Sequence, residues 1–517
     1  MRKENSIKNS ISSIFSNIIT MVISFVAQAI FIKTLGTEYL GLNGLFTNIL
    51  TILSFFELGI GSAIVFHLYK PISDNDQEKI KGLMNFYKKA YKIISILVFA
   101  CGLLFIPFLR KIVGEVKVDI NIYYIYLMYL INTSSSYLLS YRKNIIQANQ
   151  KGYILNYVHI AYVILLNIFQ MTLLFLFHNY YIYLFLKFIF QLLENAIDSL
   201  IASRMYPFLN DIKDYKIDKK TEKDIFKKVK AMVYHQVGSS IVNGTDNIII
   251  SAFLGVYYVG LYSNYYIIIN AVNLLCKQLI NGTTASVGDL LVSSNDNEKK
   301  YKVFDQLRFI NFIISFVCGI CILNLMEPFI SIWIGKEFLL SSFVLFTLVF
   351  NFFQKTQRCV YQTFKNSGGI WYEDRYIPII ESIINIVVSI VLLKTFGLAG
   401  VFLGTIISGL LLWLYSYPKY IYKNLFKRSY KNYFVETFRY IIIFVVGAMS
   451  TYFVSKMISV DNLYVKLIIN STISVSVSII FIFAIFWNDY KLKSFLEMLN
   501  KIFCKFIKRR KNDRKNI

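Results

Sequence analysis

Histidine and cysteine, the side chains that most often build metal and redox sites, are scarce in this sequence of 517 residues. The four histidines, His67, His159, His178 and His235, are scattered, and only His235 is a candidate for lining an internal cleft. The six cysteines include one CxxC sequence, Cys318 to Cys321, without a second pair or a histidine partner. These shortages argue against metal or thiol redox chemistry, and we expect no metal and no cofactor.

Charged residues are also few. They make up 16% of the chain, whereas hydrophobic residues make up 56% and aromatic residues 17%. This composition is too apolar for a soluble globular protein and indicates a membrane protein. The sequence lacks the alternating strands of about ten residues that are typical of membrane β-barrels. The predicted fold class is therefore all-α, a polytopic helical membrane protein.

Apolar runs of about 20 residues, the length that crosses about 30 Å of hydrocarbon, recur along the whole chain. They predict fourteen transmembrane helices. The approximate ranges are 11–33, 40–69, 86–108, 120–142, 153–177, 180–204, 231–254, 257–283, 309–333, 338–362, 376–394, 398–418, 437–456 and 463–487.

Lysine and arginine outnumber aspartate and glutamate by 55 to 30, which gives a formal net charge of +25. Between the predicted helices, 45 of the 55 basic residues fall in segments on one side of the membrane and eight on the other. The positive-inside rule then predicts that both termini are cytoplasmic. This distribution indicates topology and not a nucleic-acid surface, and the basic tail from Lys505 fits an anchor on anionic lipid.

Three short sequences recur in the second half of the chain at offsets of 216 to 220 residues. The pairs are LGTEYLGLNG (Leu35 to Gly44) with LGVYYVGLYS (Leu254 to Ser263), NDQEK from Asn75 with NDNEK from Asn295, and QANQKG after Arg142 with QTFKNSGG after Arg358. Their common order and nearly constant offset indicate an internal duplication.

The duplication predicts five regions in the chain. They are an N-terminal six-helix lobe (1–205), a cytoplasmic lysine-rich linker (206–230), a C-terminal six-helix lobe (231–425), helices 13 and 14 (426–487) and a basic cytoplasmic tail (488–517). Because six is an even number, both lobes enter the membrane from the same side and form a parallel repeat. Two similar bundles of this kind are typical of alternating access, in which a central cleft opens to one side at a time.

Polar residues inside the predicted helices recur at every third or fourth position and so share one helix face. We expect such faces to line the cleft, because polar groups that face lipid are energetically costly. The candidates for ion coupling or cleft lining are Gln28, Glu57, Asn243 and Asp246. Asp246 fits a cation or proton site and equally a buried packing residue. The sixth predicted helix carries a charged stripe that either lines the cleft or pairs internally, formed by Lys187, Gln191, Glu194 and Asp198.

Together these features resemble the Wzx-type polysaccharide repeat-unit flippases of the multidrug/oligosaccharidyl-lipid/polysaccharide flippase superfamily. The resemblance covers nearly the whole chain and includes the helix number, the parallel repeat, the LGxxYxG stretch of each half and ASVGDLL at Ala285 to Leu291. It implies a V-shaped cleft that moves an undecaprenyl-diphosphate-linked oligosaccharide across the bacterial cytoplasmic membrane, for capsule, O-antigen or exopolysaccharide. We expect a monomer among membrane lipids, with a polymerase or glycosyltransferase of the pathway as a further candidate partner.

A diphosphate needs cations, which arginine supplies as a bidentate fork and lysine as a point charge. The candidate substrate-binding residues are Arg142, Lys143, Lys277, Asn351, Lys355 and Arg358. For Arg142 and Lys143, anchoring at the cytoplasmic membrane surface is the competing interpretation. Lys277 matches Glu57 across the repeat, so a structural ion pair competes there with a substrate contact.

A membrane enzyme of the same pathway is the alternative from another class. Such enzymes usually hold catalytic groups on large external loops, whereas the outer connections predicted here are short. The longest cytoplasmic loop, 205–230, has no glycine-rich nucleotide-binding motif. We therefore expect a transporter and no enzyme. A multidrug exporter of the same superfamily is the second alternative. That fold typically has twelve helices, so helices 13 and 14 favour a lipid-linked substrate.

Overall fold

The computed structural model describes residues 2–54, 57, 60–114, 116, 118–212, 215–294, 296–370, 373–458, 460–498 and 500. This part of the chain is helical and contains no β-strand, so the all-α prediction is confirmed. The helices are α1 Arg2–Leu35, α2 Thr37–Leu53, α3 Ile60–Ser73, α4 Gln77–Leu104, α5 Leu109–Val113, α6 Ile122–Ser140, α7 Lys143–Ala148, α8 Tyr153–Phe177, α9 Tyr180–Met205, α10 Lys219–Leu254, α11 Val256–Asn281, α12 Thr284–Ser293, α13 Asn297–Trp333, α14 Ser342–Ser367, α15 Ile377–Phe396, α16 Leu398–Leu411, α17 Tyr430–Met457 and α18 Leu463–Phe486.

Among the described residues, nine helical segments are long and apolar enough to cross a membrane. They include α1, α4, α8, α11, α13 and α15 to α18. The predicted number of fourteen is therefore not confirmed. Several other long helices carry charged residues in their apolar stretch, which lowers their mean hydropathy. Lys187 and Glu194 do so in α9, and Lys355 and Arg358 do so in α14.

Several helix boundaries differ from the sequence prediction. The predicted single helix at 40–69 is wrong, because α2 ends at Leu53 and α3 begins at Ile60. Two glycines in the sequence, Gly59 and Gly61, disfavour a continuous helix at this point. Helix α10 begins at Lys219, inside the segment predicted as a linker, and α16 continues as a π-helix over Leu412–Leu425. Pro418 lies in this π-helix, and a proline disturbs regular α-helical hydrogen bonding.

Polar caps at the N-termini explain where many of the helices start. The Asp76 carboxylate accepts a hydrogen bond from the Lys79 backbone N–H at 3.1 Å and caps α4. Asp296 accepts from the Lys299 N–H at 3.2 Å and caps α13 in the same way. These two aspartates occupy the same position in the repeated NDQEK and NDNEK sequences. The second repeated sequence is thus a helix-capping motif.

The helices pack into two compact units. The first unit contains 1–267 and 375–404, and the second contains 268–374 and 405–517. The division into compact units does not test whether the sequence is duplicated, because packing and duplication are different properties. The predicted lobes 1–205 and 231–425, the linker 206–230, the helix pair 426–487 and the tail 488–517 therefore stay predictions.

Aromatic side chains fill the core of the second unit, where α13 packs against α14, α17 and α18. Phe312 stacks on Tyr440 with ring centroids 4.3 Å apart, and Phe353 stacks on Phe444 at 4.0 Å. Such pairs add stabilisation to the burial of apolar area. The last two long helices are therefore an integral part of this unit.

Candidate functional site

The two copies of the LGxxYxG motif contact each other in the first unit. An added Cβ on Gly41 of α2 would collide with the Val256 carbonyl of α11, and one on Gly260 of α11 would collide with the Thr37 carbonyl of α2. Thr37 and Gly41 occupy the same motif positions as Val256 and Gly260, so the contact is reciprocal. It has the form of a two-fold interface within one chain.

Glycine also sets the backbone at the start of both motif copies. Gly36 and Gly255 each have a φ of 95°, a conformation that side chains with a Cβ rarely adopt. Further along the motif, a Cβ on Gly44 would lie 3.0 Å from the Ser263 hydroxyl. Gly44 and Ser263 are equivalent positions, so the pseudo-two-fold axis passes between them.

Polar groups surround this contact on α1, α10 and α11. The Gln28 amide donates to Asn264 Oδ1 at 2.6 Å, and Asn264 is fully buried. Asp246 is buried on α10, where it interacts electrostatically with Tyr262 and Tyr266 of α11. The Asn243 side chain, also predicted for this group, lies outside the described residues, as does that of His235. Gln28 and Asp246 therefore both face α11 in the first unit.

A polar column on α15 was missed by sequence reasoning. Glu381, Asn385 and Ser389 are buried at spacings of four residues, and Thr245 of α10 donates to Asn385 Oδ1 at 3.2 Å. The spacing is visible in the sequence and could have identified this helix face. It was overlooked because the predicted helix reads as almost continuously apolar between these positions.

The charged stripe of α9 pairs internally. The Glu194 carboxylate lies 2.8 Å from Nδ1 of His159 on α8, and Gln191 accepts a hydrogen bond from Asn132 of α6 at 3.4 Å. The Lys187 ammonium lies 5.3 Å from the centre of the Tyr129 ring. These contacts connect α9 with both neighbouring helices, and they favour internal pairing over cleft lining for this stripe.

Arg142 precedes α7 and Lys143 is its first residue, and both face α9. The Arg142 guanidinium donates to the Ser203 hydroxyl of α9 and, through Nε, to the Tyr141 hydroxyl at 3.0 Å. Lys143 interacts electrostatically with Asp198 of α9. Both cations are half-buried. Both cations interact with protein groups, so anchoring at the membrane surface alone does not explain their positions.

Glu57 lies in the turn between α2 and α3. The Tyr91 hydroxyl donates to Glu57 Oε1 at 3.2 Å, and the Tyr137 hydroxyl also hydrogen-bonds to this carboxylate. Two tyrosines therefore hold the carboxylate within the first unit. The predicted ion pair with Lys277 stays a prediction, since Lys277 belongs to the second unit.

The second unit contains the remaining predicted cations. The Arg358 guanidinium of α14 lies directly against Gly409 of α16, beside the Gln354 side chain. Gln354 is anchored there because its amide donates to the Ile406 carbonyl at 3.0 Å. Arg358 and Lys277 both act electrostatically on the Cys359 thiol, so Lys277 of α11 lies near this part of α14.

Asn351 and Lys355 lie on α14 with Arg358. Asn351 is 7% exposed, and its Oδ1 has no hydrogen-bond partner among the residues that the structure describes. Lys355 is half-buried one turn further along. Buried carbonyl oxygens of this kind usually have a partner. Asn351, Lys355 and Arg358 thus form the polar side of α14 in the second unit.

A buried ionic cluster in the second unit was not predicted. Arg308 of α13 lies 3.1 Å from Glu436 of α17, and Lys491 lies 2.6 Å from Glu436 and 3.0 Å from Asp305. Arg308, Asp305 and Lys491 are at most 6% exposed. Burial alone lowers the pKa of Lys491, but the carboxylates of Asp305 and Glu436 outweigh this effect and raise that pKa. We call these four residues the Arg308 cluster.

Comparison with known proteins identifies similarities at the levels of family and fold. The sequence profile of the polysaccharide biosynthesis protein family matches residues 6–283. Comparison with curated protein sequences found no match. Among solved structures, the lipid II flippase MurJ in an inward closed conformation is similar with a TM-score of 0.66 and 18% identity. The similarity covers 93% of this chain and 99% of that one.

Multidrug transporters have the same fold. An inward-facing MATE family transporter of the MOP superfamily is similar with a TM-score of 0.61 and 16% identity, over 77% of this chain and 94% of that one. The Vibrio cholerae MATE transporter VcmN is similar with a TM-score of 0.55 and 13% identity, over 83% and 99%. These structures are of transporters and of a flippase, which agrees with the expectation that the chain is not an enzyme. At these identities the similarity shows the fold.

Proposed function

Because the chain belongs to the polysaccharide biosynthesis protein family, we propose that it is a flippase for undecaprenyl-diphosphate-linked oligosaccharide repeat units. It acts as a monomer in the bacterial cytoplasmic membrane with both termini in the cytoplasm. It supplies units for capsule, O-antigen or exopolysaccharide, and a polymerase or glycosyltransferase of the pathway is a candidate partner. The fold shared with a lipid flippase over 93% of the chain supports a lipid-linked substrate.

The reciprocal motif contact is the observation that best supports alternating access. Gly41 and Gly260 let α2 and α11 approach with their backbones almost touching, and equivalent residues meet on both sides. A symmetric contact between two copies of one motif can close one side of a cleft. Its separation would then open that side while the other side closes.

The cations support a diphosphate as the charged part of the substrate. Arg358 and Lys277 both interact electrostatically with the Cys359 thiol, and Asn351 lies on the same helix as Arg358 with a buried side-chain amide, whose NH₂ group can donate to a phosphate oxygen. Arginine binds phosphate through two parallel hydrogen bonds. We assign diphosphate binding to Arg358, with Lys277, Lys355 and Asn351 beside it. Arg142 and Lys143 are the corresponding candidates in the first unit.

Deletion of the gene is expected to abolish surface polysaccharide and to leave the lipid-linked repeat unit in the inner leaflet. The leaflet can be measured with a glycan-modifying enzyme that cannot cross the membrane. A polymerase would instead leave the repeat unit in the outer leaflet, and a multidrug exporter would leave surface polysaccharide unchanged. Either of these two results would contradict the proposed function.

A disulfide across the motif contact is expected to stop transport. In a chain without its native cysteines, Gly44→Cys and Ser263→Cys should cross-link on oxidation, because a Cβ on Gly44 lies 3.0 Å from the Ser263 hydroxyl. Transport should fall by about tenfold or more, since the contact cannot separate. A reductant should restore it.

The matched control is the pair Ser95→Cys and Ser134→Cys, which joins α4 to α6 where the Ser95 hydroxyl donates to the Ser134 carbonyl at 2.7 Å. Both helices belong to the predicted N-terminal lobe, so this cross-link should leave transport unchanged. Full transport by the oxidised Gly44–Ser263 pair would show that the motif contact does not need to open.

A further inference from the structure

A groove with apolar walls lies between α4 and the beginning of α10 in the first unit. It has a volume of about 500 Å³ and is lined by fifteen or so residues of α4, α10 and the segment that precedes α10. Phe86 of α4 and Phe226 of α10 meet edge to face across it, with ring centroids 6.0 Å apart. We call this cavity the α4–α10 groove. Its volume is in the range of small-molecule sites.

One end of the groove is closed by the segment before α10. The Asn85 amide donates to the Tyr215 carbonyl at 2.8 Å, and the Lys216 backbone crosses Gly82 so closely that a Cβ there would lie 3.0 Å from the Lys216 carbonyl oxygen. The Lys81 ammonium lies 4.5 Å from the centre of the Tyr215 ring. These contacts hold the segment on α4, so the closed end is a built feature.

The walls remain exposed toward the open side. Ile93 of α4 is 58% exposed and Phe226 of α10 is 57% exposed, and Leu97 extends the same face of α4 by one turn. An apolar cavity with exposed large side chains at its opening favours a hydrocarbon chain.

Two lysines line the groove, Lys216 where its segment crosses Gly82 and Lys89 about two turns further along α4. Lys88 and Lys92 are exposed on the adjacent turn of α4. These four lysines form no ion pair with the residues that the structure describes. Among the lining residues that the structure describes, Glu222 is the single acidic one. Cationic side chains beside an apolar trough match the charge and shape of a lipid with an anionic headgroup.

We propose that the α4–α10 groove binds an anionic phospholipid of the cytoplasmic leaflet. The phosphate lies at Lys89 and Lys216, and one acyl chain lies between Phe86, Phe226 and Ile93. The groove holds one hydrocarbon chain, which suits a phospholipid better than a long polyprenyl chain. The placement in the cytoplasmic leaflet rests on the proposed orientation of the chain. Phospholipid binding holds α10 to α4 at the segment where α10 begins.

Lipid affinity can be measured on the full-length purified protein by native mass spectrometry in detergent. The probes are phosphatidylglycerol and phosphatidylcholine with the same acyl chains. We expect phosphatidylglycerol to bind more tightly to the wild type. The double variant Lys89→Gln and Lys216→Gln should weaken phosphatidylglycerol binding by about tenfold or more and leave phosphatidylcholine unchanged. Lys302→Gln, which removes an exposed lysine of α13 remote in sequence from the groove, should retain the wild-type affinity.

A second variant tests the apolar part. Ala90 lines the groove, and Ala90→Phe should fill it and weaken binding while all the lysines remain. Unfolding temperatures without added lipid identify variants that are folded. The proposal would be overturned if the folded double variant still preferred phosphatidylglycerol to phosphatidylcholine as the wild type does. It would also be overturned if folded Ala90→Phe bound phosphatidylglycerol with the wild-type affinity.

Competition with undecaprenyl phosphate distinguishes a phospholipid of the membrane from the polyprenyl lipid of the proposed substrate as the occupant of the groove. If undecaprenyl phosphate displaces phosphatidylglycerol from the wild type at a lower molar ratio than added phosphatidylglycerol does, the groove belongs to the substrate path and the phospholipid proposal is overturned. Displacement only at a higher ratio supports it. Because this assay measures binding without transport, its failure leaves the proposed flippase function untouched. Conversely, normal surface polysaccharide after gene deletion would contradict the proposed flippase function without bearing on the lipid affinities.

Discussion

Replacement of Arg308 by methionine is expected to destabilise the protein by about 3–5 kcal/mol, because it leaves two carboxylates, those of Asp305 and Glu436, to share one lysine in a largely buried cluster. Arg308 is 1% exposed, lies 3.1 Å from Glu436 and donates to the Tyr422 hydroxyl at 2.5 Å. Without the guanidinium, Lys491 is the one described residue that keeps an ion pair with the carboxylates of Asp305 and Glu436. The measurement is the unfolding temperature in detergent, together with the amount of protein in the membrane.

Charge balance provides the control for this prediction. The double variant Arg308→Met and Glu436→Gln keeps the Lys491–Asp305 pair neutral, so it should be more stable than Arg308→Met alone. Arg428→Met removes an arginine whose ion pair with Glu298 is partly exposed, and it should change stability by about 0–1 kcal/mol. An Arg308→Met protein as stable as Arg428→Met would contradict a structural role for the cluster.

The Arg308 cluster also illustrates what sequence patterns can predict. In the sequence, Arg308 and Lys491 were counted only among the basic residues of the predicted cytoplasmic segments, which indicate topology. Their pairing depends on Glu436, which is 128 positions from Arg308 in the chain. A helix pattern gives the face of a residue but not its partner on a distant helix. Buried ionic contacts between remote helices are therefore visible only after packing.

Local signals performed better. Composition and the lack of alternating strands were sufficient for the all-α fold class, and the aspartates of the repeated NDQEK and NDNEK sequences are helix caps in the structure. The repeated LGxxYxG motif was recognisable from its offset. Its reciprocal contact was not, because duplication alone does not tell whether the two copies meet. The break between α2 and α3 was missed since the apolar run from 40 to 69 continues through it.

The candidate site was predictable to a similar degree. The spacing of Asn351, Lys355 and Arg358 predicted that they share one side of a helix. The structure adds the close contact of Arg358 with Gly409. For the α9 stripe the sequence left cleft lining and internal pairing open. The His159–Glu194 contact favours pairing because it gives the Glu194 carboxylate a partner within the first unit. Roles in substrate binding depend on a ligand, so they stay proposals.

Loss of the Arg358 guanidinium is expected to lower transport by about ten- to hundredfold, since a hydrogen bond to a charged group contributes about 1.5–3 kcal/mol. Arg358→Lys keeps the charge but not the planar fork, so it should restore only part of the activity. The measurement is surface polysaccharide per amount of membrane-inserted protein in cells that lack the native chain. Arg358→Ala at the wild-type rate with equal protein present would exclude diphosphate binding by this residue.

Gly409 allows the position of the guanidinium to be tested without removing it. A Cβ at Gly409 would overlap the end of the Arg358 side chain and the Gln354 amide oxygen, both of which can shift without unfolding the helices. Gly409→Ala should therefore lower transport at normal protein levels. Gly288→Ala is the matched control, because a Cβ on Gly288 of α12 meets no atom within 4 Å. If Gly409→Ala and Gly288→Ala transport equally well, the rate does not depend on where α16 holds the Arg358 guanidinium.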